Sequence, residues 1–125
     1  MSERETSTRE SQNREEFVPH NTTISLYINE VHVGNIDIER SSVKKDTDFI
    51  SELVILSKYR RKGYGTKLLA HVLTKSRARY QETEVASKNA AAKKLFKRQG
   101  FKDTGTRRRD PETGETLMLF RRGGR

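Results

Sequence analysis

The chain contains no cysteine and no tryptophan, and only two prolines among 125 residues. The missing cysteine excludes a disulfide scaffold and thiolate catalysis, and it agrees with a reducing compartment. Long hydrophobic runs are absent too, since no stretch approaches the roughly 20 apolar residues that cross a bilayer as a helix. Residues 1–16 have no apolar core of the kind a secretory signal needs. His, Asp and Glu do not cluster at metal-ligand spacing, so no metal is expected. These absences point to a cytoplasmic protein with no membrane partner. Hydrophobic residues make up 31% of the chain, enough for one domain with a modest core but not for two.

What is abundant is positive charge, and it is unevenly placed. The net charge is +9; residues 1–20 carry −2 and residues 21–56 carry −3, whereas residues 57–109 hold 17 basic and three acidic side chains, giving +14. Such a field concentrates anionic ligands, phosphorylated cofactors and nucleic acid alike. For Lys75, Arg77, Lys93 and Lys97 the plainer reading is solvated charge on helix faces.

Residues 1–20 are mostly polar and are expected to be a disordered tail, with Phe17 and Val18 able to dock at the domain edge. A single domain is expected over 21–121, followed by a basic tail at 122–125. From Thr22, alternating Ile24, Leu26 and Ile28 read as a half-buried strand. Asn29-Glu30 turns into a second strand, 31–38, whose apolar positions change parity around Gly34, as a β-bulge would make them. Phe49 to Leu56 reads as the next strand, its apolar end buried on both faces. Tyr64, Leu68, Leu69, Val72, Leu73 and Tyr80 form the apolar stripe of a helix continuing to Arg79. Residues 82–86 are a short strand, which completes a strand–helix–strand unit of parallel, right-handed sense. A second helix, Asn89 to Gln99, buries Ala92, Leu95 and Phe96 and closes on Gly100. Residues 101–107 and 115–120 then form a hairpin. The fold class is α/β in the α+β sense: a mixed, mostly antiparallel sheet with a central parallel β-α-β unit and two main helices.

One stretch carries chemistry. Tyr59-Arg60-Arg61-Lys62-Gly63-Tyr64-Gly65-Thr66 lies between the apolar strand and the first helix. Strand, glycine turn and helix start cradle phosphate, because the first helical N–H groups lack partners and the peptide dipoles add partial positive charge there. Gly63 and Gly65 permit a tight turn and a close approach, and Arg60, Arg61 and Lys62 supply full charges. Two phosphate motifs do not fit: Leu68 stands where a dinucleotide fingerprint needs its third glycine, and no Walker sequence is present.

Arg60-x-x-Gly63-x-Gly65 resembles the acyl-CoA pyrophosphate signature of the GCN5-related N-acetyltransferases, the GNAT superfamily. A second block, Asn89-x-x-Ala92-x-x-Leu95-Phe96-x-x-x-Gly100-Phe101, is similar to that family's later motif, and the hairpin from Leu26 to Ile38 to the one that precedes the signature. The resemblance covers about residues 22–121. It implies an acyl-CoA N-acyltransferase-like fold with acetyl-CoA as co-substrate. The pantetheine is then expected to lie along Leu53, Val54 and Ile55, where their strand splays from 82–86, with main-chain groups of Val54 and Ile55 pairing with its amides. Arg60, Arg61, Lys62, Gly63, Tyr64, Gly65 and Thr66 are expected to hold the pyrophosphate, with Asn89 and Phe96 completing the cofactor site. The unaided readings stand beside these: core strand for 53–55, a helix cap for Asn89.

Transfer to an amine of pKa about 10.4 calls for a base. Glu52, just before the pantetheine strand, is the candidate, with Asp37, Glu39, Asp48 and Glu84 as alternatives. The chain departs from the family twice. Phe96 replaces a tyrosine proposed to protonate the leaving thiolate, and residues 1–21 are too short and polar for the usual N-terminal strand and two helices that wall the acceptor site. The implied function is acetyl transfer to a primary amine, on a protein lysine or N-terminus or a small cationic molecule, with a homodimer able to complete the open side. The alternative is a catalytically weakened module that binds CoA, nucleic acid or a protein through its basic face.

Overall fold

A computed structural model of the chain describes residues 14–123. Seven strands and two helices follow in the order β1 (Glu15–His20), β2 (Thr23–Ile28), β3 (Val31–Arg40), β4 (Thr47–Ile55), α1 (Tyr64–Lys75), β5 (Tyr80–Ala86), α2 (Ala90–Arg98), β6 (Lys102–Arg109) and β7 (Thr116–Gly123). They make one sheet with strand order β1-β2-β3-β4-β5-β7-β6. All neighbouring pairs are antiparallel except β4 and β5.

The hairpin β2–β3 closes through Asn29 and Glu30, whose positive φ angles of 50° and 70° suit the two-residue turn that matches strand twist. Leu26 pairs with Gly34 and Tyr27 with His32, so Val33 is the extra residue of a bulge. That shift lets Val33 and Ile36, of different parity, both enter the core. Residues paired across the ladder share a face, which puts Leu26, Ile36, Ile50, Val85, Met118 and Phe120 together beneath α1 and α2 in one cluster. Leu68, Leu69, Val72 and Leu73 of α1 and Phe96 of α2 close that layer from above. Among the described residues no helix covers the opposite face.

Four expectations need correction. Residues 15–20 are an edge strand, with Phe17 stacked flat on His71 of α1 at 4.0 Å and Glu15 paired with Lys67 at 2.8 Å; residues 1–13 of the expected tail lie outside the described residues. At the other end β7 runs to Gly123, and Arg122 of the expected tail donates from Nε to the Gln99 carbonyl and from Nη1 to Gln81 Oε1, both at 2.9 Å. The first helix ends at Lys75 rather than Arg79: Ser76 Oγ donates to Asp48 at 2.6 Å, Asp46 accepts the Arg79 N–H at 3.1 Å, and Tyr80 begins β5 instead of extending the helical stripe. Leu53, Val54 and Ile55 are half-buried rather than enclosed on both faces, because β5 leaves their side.

Candidate functional site

The parallel pairing of β4 and β5 stops after Ile50 and Thr83. Thr83 marks the last rung, its hydroxyl donating to the Ile50 carbonyl at 2.9 Å. The next residue, Ser51, has no opposite number on β3, since Asp37 pairs with Glu52 and Ile38 with Ile50. This bulge bends β4 while β5 stays with β7. The strands part and leave a cleft of about 740 Å³ between them.

Main-chain direction in β4 follows from one bond. Leu56 donates its N–H to Val33 on β3 at 2.9 Å, so by ladder alternation Val54 also faces β3 while Leu53 and Ile55 turn N–H and C=O toward the cleft. Of the expected pair, Val54 and Ile55, only Ile55 turns its main chain that way. Val54 lines the cleft without presenting its main chain to it. Arg60 Nε donates to the Ile55 carbonyl at 2.9 Å, pinning the turn to the strand end.

The glycine turn forms one end of the cleft. Arg61 and Gly63 both have left-handed backbones, φ 66° and 84°; at Gly63 the angle, not crowding, demands glycine, because a Cβ there would meet nothing within 4 Å. Gly63 is the N-cap of α1, so no side chain caps the helix, and no acidic residue lies in the first turn. The N–H groups of that turn are left for a ligand. At Gly65 a Cβ would come within 3.5 Å of Leu95 and 3.7 Å of Ile55, so the start of α1 abuts α2 over the strand. Arg60, Arg61, Gly63, Tyr64, Gly65 and Thr66 all line the cleft; Lys62 does not.

The opposite wall comes from α2. Asn89 is its N-cap, its Oδ1 accepting the Ala92 N–H at 3.0 Å, and it also borders the cleft. Phe96 is 4% exposed and meets Phe101 edge-on at 5.1 Å. Ala91, Ala92 and Leu95 line the same wall. Small and branched apolar residues at that spacing read in sequence only as helix packing, so their contact with a cleft was not foreseen.

The cleft crosses the sheet. On the helix-free face its mouth is flanked by Glu52 of β4 and Glu84 of β5. Arg108 holds Glu84 with two hydrogen bonds, 2.6 and 2.8 Å, and this pairing raises the guanidinium pKa above its ordinary value. Asp48 is occupied by Arg40 and Ser76, and Asp37 by Thr23. Glu52 is exposed and has no hydrogen-bond or ionic partner among the described residues. Glu39, also unpaired, lies off the cleft, as do His32 and His71.

A family model described as acetyltransferase (GNAT) family matches residues 2–101. No curated protein matches the chain in sequence. Among solved structures, the chain is similar to the ribosomal-protein-S18-alanine N-acetyltransferase of Escherichia coli, with a TM-score of 0.69 and 22% identity over 95% of this chain and 76% of that one. It is also similar to Arabidopsis thaliana Naa50 in complex with the bisubstrate analogue CoA-Ac-MVNAL, at 0.70 and 24% over 82% and 73%. A third likeness is to an acetyltransferase of Elizabethkingia anophelis with acetyl-CoA bound, at 0.71 and 17% over 82% and 75%.

Proposed function

The chain belongs to the acetyltransferase (GNAT) family, and from that premise we propose that it moves the acetyl group of acetyl-CoA to a primary amine by direct attack in a ternary complex. The observation that carries this reading is the cleft through the sheet, which joins an uncapped, cationic helix start on one side to an unpaired carboxylate on the other. The co-substrate enters from the helical side. Gly63 to Thr66 offer N–H groups, and Arg60 and Arg61 charge, to its pyrophosphate. Leu53 and Ile55 offer main-chain groups to its pantetheine, and an N–H of this strand polarises the thioester carbonyl and holds the oxyanion.

The amine arrives from the helix-free face. Glu52 takes its proton, directly or through water, and the freed nitrogen pair attacks the thioester carbon. The tetrahedral adduct collapses, the C–S bond breaks, and the electron pair leaves on sulfur. Phe96 has no proton to give, so water protonates the thiolate. The acceptor is a cationic amine, a protein lysine or N-terminus or a small polyamine-like molecule, because Asp37, Glu39 and Glu52 share the open face. With no helix on that face among the described residues, the acceptor or a second copy of the chain completes the wall.

Isothermal titration of acetyl-CoA tests the cofactor site. Micromolar binding is expected, weakened strongly by Arg60→Glu and by Gly63→Glu. Mass spectrometry after incubation with lysine peptides and polyamines is expected to show a product heavier by one acetyl group, with Glu52→Gln moving the pH profile of the rate. Binding without any product in that pool would favour the alternative, a module that holds CoA without transferring acetyl.

A further inference from the structure

The positive charge of residues 57–109 exceeds what the cleft uses. On α2 the residues at the cleft and core are 91, 92, 95 and 96; at 100° per residue Lys93, Lys94 and Lys97 fall outside that arc and Arg98 borders it beside Ala91, with Lys93 half-buried and the other three exposed. None of the four forms a close ion pair among the described residues, although Lys97, behind Arg107, helps hold the Asp103 carboxyl below its ordinary pKa and sets its Nζ 6.0 Å from the Phe120 ring. They also form two like-charge pairs at i,i+4, Lys93 with Lys97 and Lys94 with Arg98, an arrangement that weakens a helix on its own. No acidic residue of α2 offsets them.

This surface continues in both directions. The close approach of Gly65 to Leu95 brings the start of α1 against α2, and the Arg60 to Lys62 turn immediately precedes that start. Past the other end of the helix, Arg122 touches Gly100 and Gln99, and Lys102 starts β6. On the far face of the sheet Asp37, Glu39 and Glu52 have no basic partner, whereas Glu82 is held by Lys44 and Arg121 and Glu84 by Arg108.

We infer that the outer surface of α2, with the turn before α1 and the adjoining Lys102 and Arg122, binds the phosphodiester backbone of double-stranded nucleic acid without reading bases. Two features favour a duplex backbone over other polyanions. The exposed large hydrophobic residues, Val18, Val31, Val43 and Leu56, lie off α2 and the β6–β7 hairpin, so the apolar anchors of a membrane-surface helix are missing. The aromatic residues of the region, Tyr59, Tyr64, Phe96 and Phe101, are half-buried or buried, which leaves no platform for stacking single-stranded bases. The inference does not depend on the cleft holding acetyl-CoA.

The test is fluorescence anisotropy of the full chain with labelled DNA and RNA duplexes of unrelated sequence across a salt series, alongside Lys93→Gln/Lys94→Gln/Lys97→Gln/Arg98→Gln. Binding is expected to be insensitive to sequence and to fall linearly on a log–log salt plot. The fourfold variant is expected to lower that slope by about 3 to 4, at about 0.9 per phosphate contact, and to weaken binding at least tenfold at about 50 mM salt. Its melting temperature should stay close to wild type, since the like-charge pairs removed offset the loss of Lys97 from the Phe120 ring, and its acetyl-CoA affinity should match wild type. The inference is overturned if the duplex does not bind, if the variant keeps the wild-type slope, or if anionic vesicles bind equally well at equal phosphate. A parallel loss of acetyl-CoA affinity in the variant would also overturn it, by assigning these cations to the cofactor.

Discussion

Gly34 sits where β3 passes closest to the cleft strand. A Cβ placed there would lie 2.5 Å from the Val54 carbonyl oxygen and 2.6 Å from Ile55 Cδ1. The carbonyl belongs to a strand with ladder bonds to β3, so it cannot swing aside as a side-chain tip could. Overpacking of this kind costs about 1–3 kcal/mol, and a backbone obstacle puts Gly34→Ala toward the upper end. Alanine recovers roughly 0.5–1 kcal/mol of the entropy that glycine loses on folding. A net loss near 2 kcal/mol corresponds to a melting midpoint roughly 8–10 °C lower in a domain of this size. Because the strain falls on Val54 and Ile55, acetyl-CoA binding should weaken as well. Gly65→Ala is the contrasting variant: its Cβ meets Leu95 and Ile55 at ordinary contact distance, and helical alanine is favoured over glycine by about 0.8–1 kcal/mol. That variant should melt no lower than wild type yet bind acetyl-CoA more weakly, because the new methyl narrows the cleft. Paired thermal and denaturant unfolding with titration calorimetry reads both. Gly34→Ala melting within a degree or two of wild type would refute the steric argument, and unaltered binding by Gly65→Ala would place the ligand away from the first turn of α1.

Asn89→Ala removes the cap bond to Ala92 and is expected to cost about 1 kcal/mol; any further loss of acetyl-CoA affinity in still-folded protein measures its part in the cofactor site. Burial first, then the charge of Lys75, lowers the His71 pKa below 6.5. The folded chain therefore takes up this proton less readily than the unfolded one, and stability present above that pH is lost as pH falls below it. An NMR titration midpoint under the free value, with His71→Gln flattening the pH dependence of unfolding, is the expected result; a midpoint at or above it would disprove the account. Phe96→Tyr restores a hydroxyl on the cleft wall, and turnover should rise toward the roughly 10²-fold or greater effect of general acid catalysis if leaving-group protonation limits the rate. No rise in single-turnover experiments would show that water already protonates the thiolate fast enough.

Much of this architecture is legible in the residues, for identifiable reasons. The parity change around Gly34 marks a bulge, Asn29-Glu30 marks a tight turn, and the two helical stripes declare their inward faces. The glycine turn and the Asn89 block bracket the cleft correctly because both lie at helix starts, where local sequence governs backbone. What was missed depends on partners distant in sequence. Glu15 to His20 shows only Phe17 as an inward residue, and the stack on His71 that secures it has no local signature. The helix reads as continuing to Arg79 because Tyr80 fits the stripe; Asp46, just before β4, and Asp48, within it, stop it. Apolar Leu53 to Ile55 reads as fully enclosed because nothing local reveals that β5 diverges after Thr83. Lys62, between the left-handed Arg61 and Gly63, does not line the cleft, a placement that its charge and motif do not reveal. The charge on the outer side of α2 was visible, but its distance from the cleft required the helix to be placed.

The strand order has a consequence for how the chain comes to be folded. The last of the described strands, β7, does not add to an edge; it slips between β5 and β6 and delivers Met118 and Phe120 to the core. Until residues 116–123 are available, β5 presents an open hydrogen-bonding edge, with Thr83 and Val85 lacking their cross-strand neighbours. Synthesis therefore reaches a stage at which β1 to β4 and α1 can assemble from nearby segments, while the half carrying α2 waits for residues 116–123. During that interval the exposed β5 edge is the chain's point of greatest vulnerability to mispairing, and stalling or truncation just before Thr116 would strand it there.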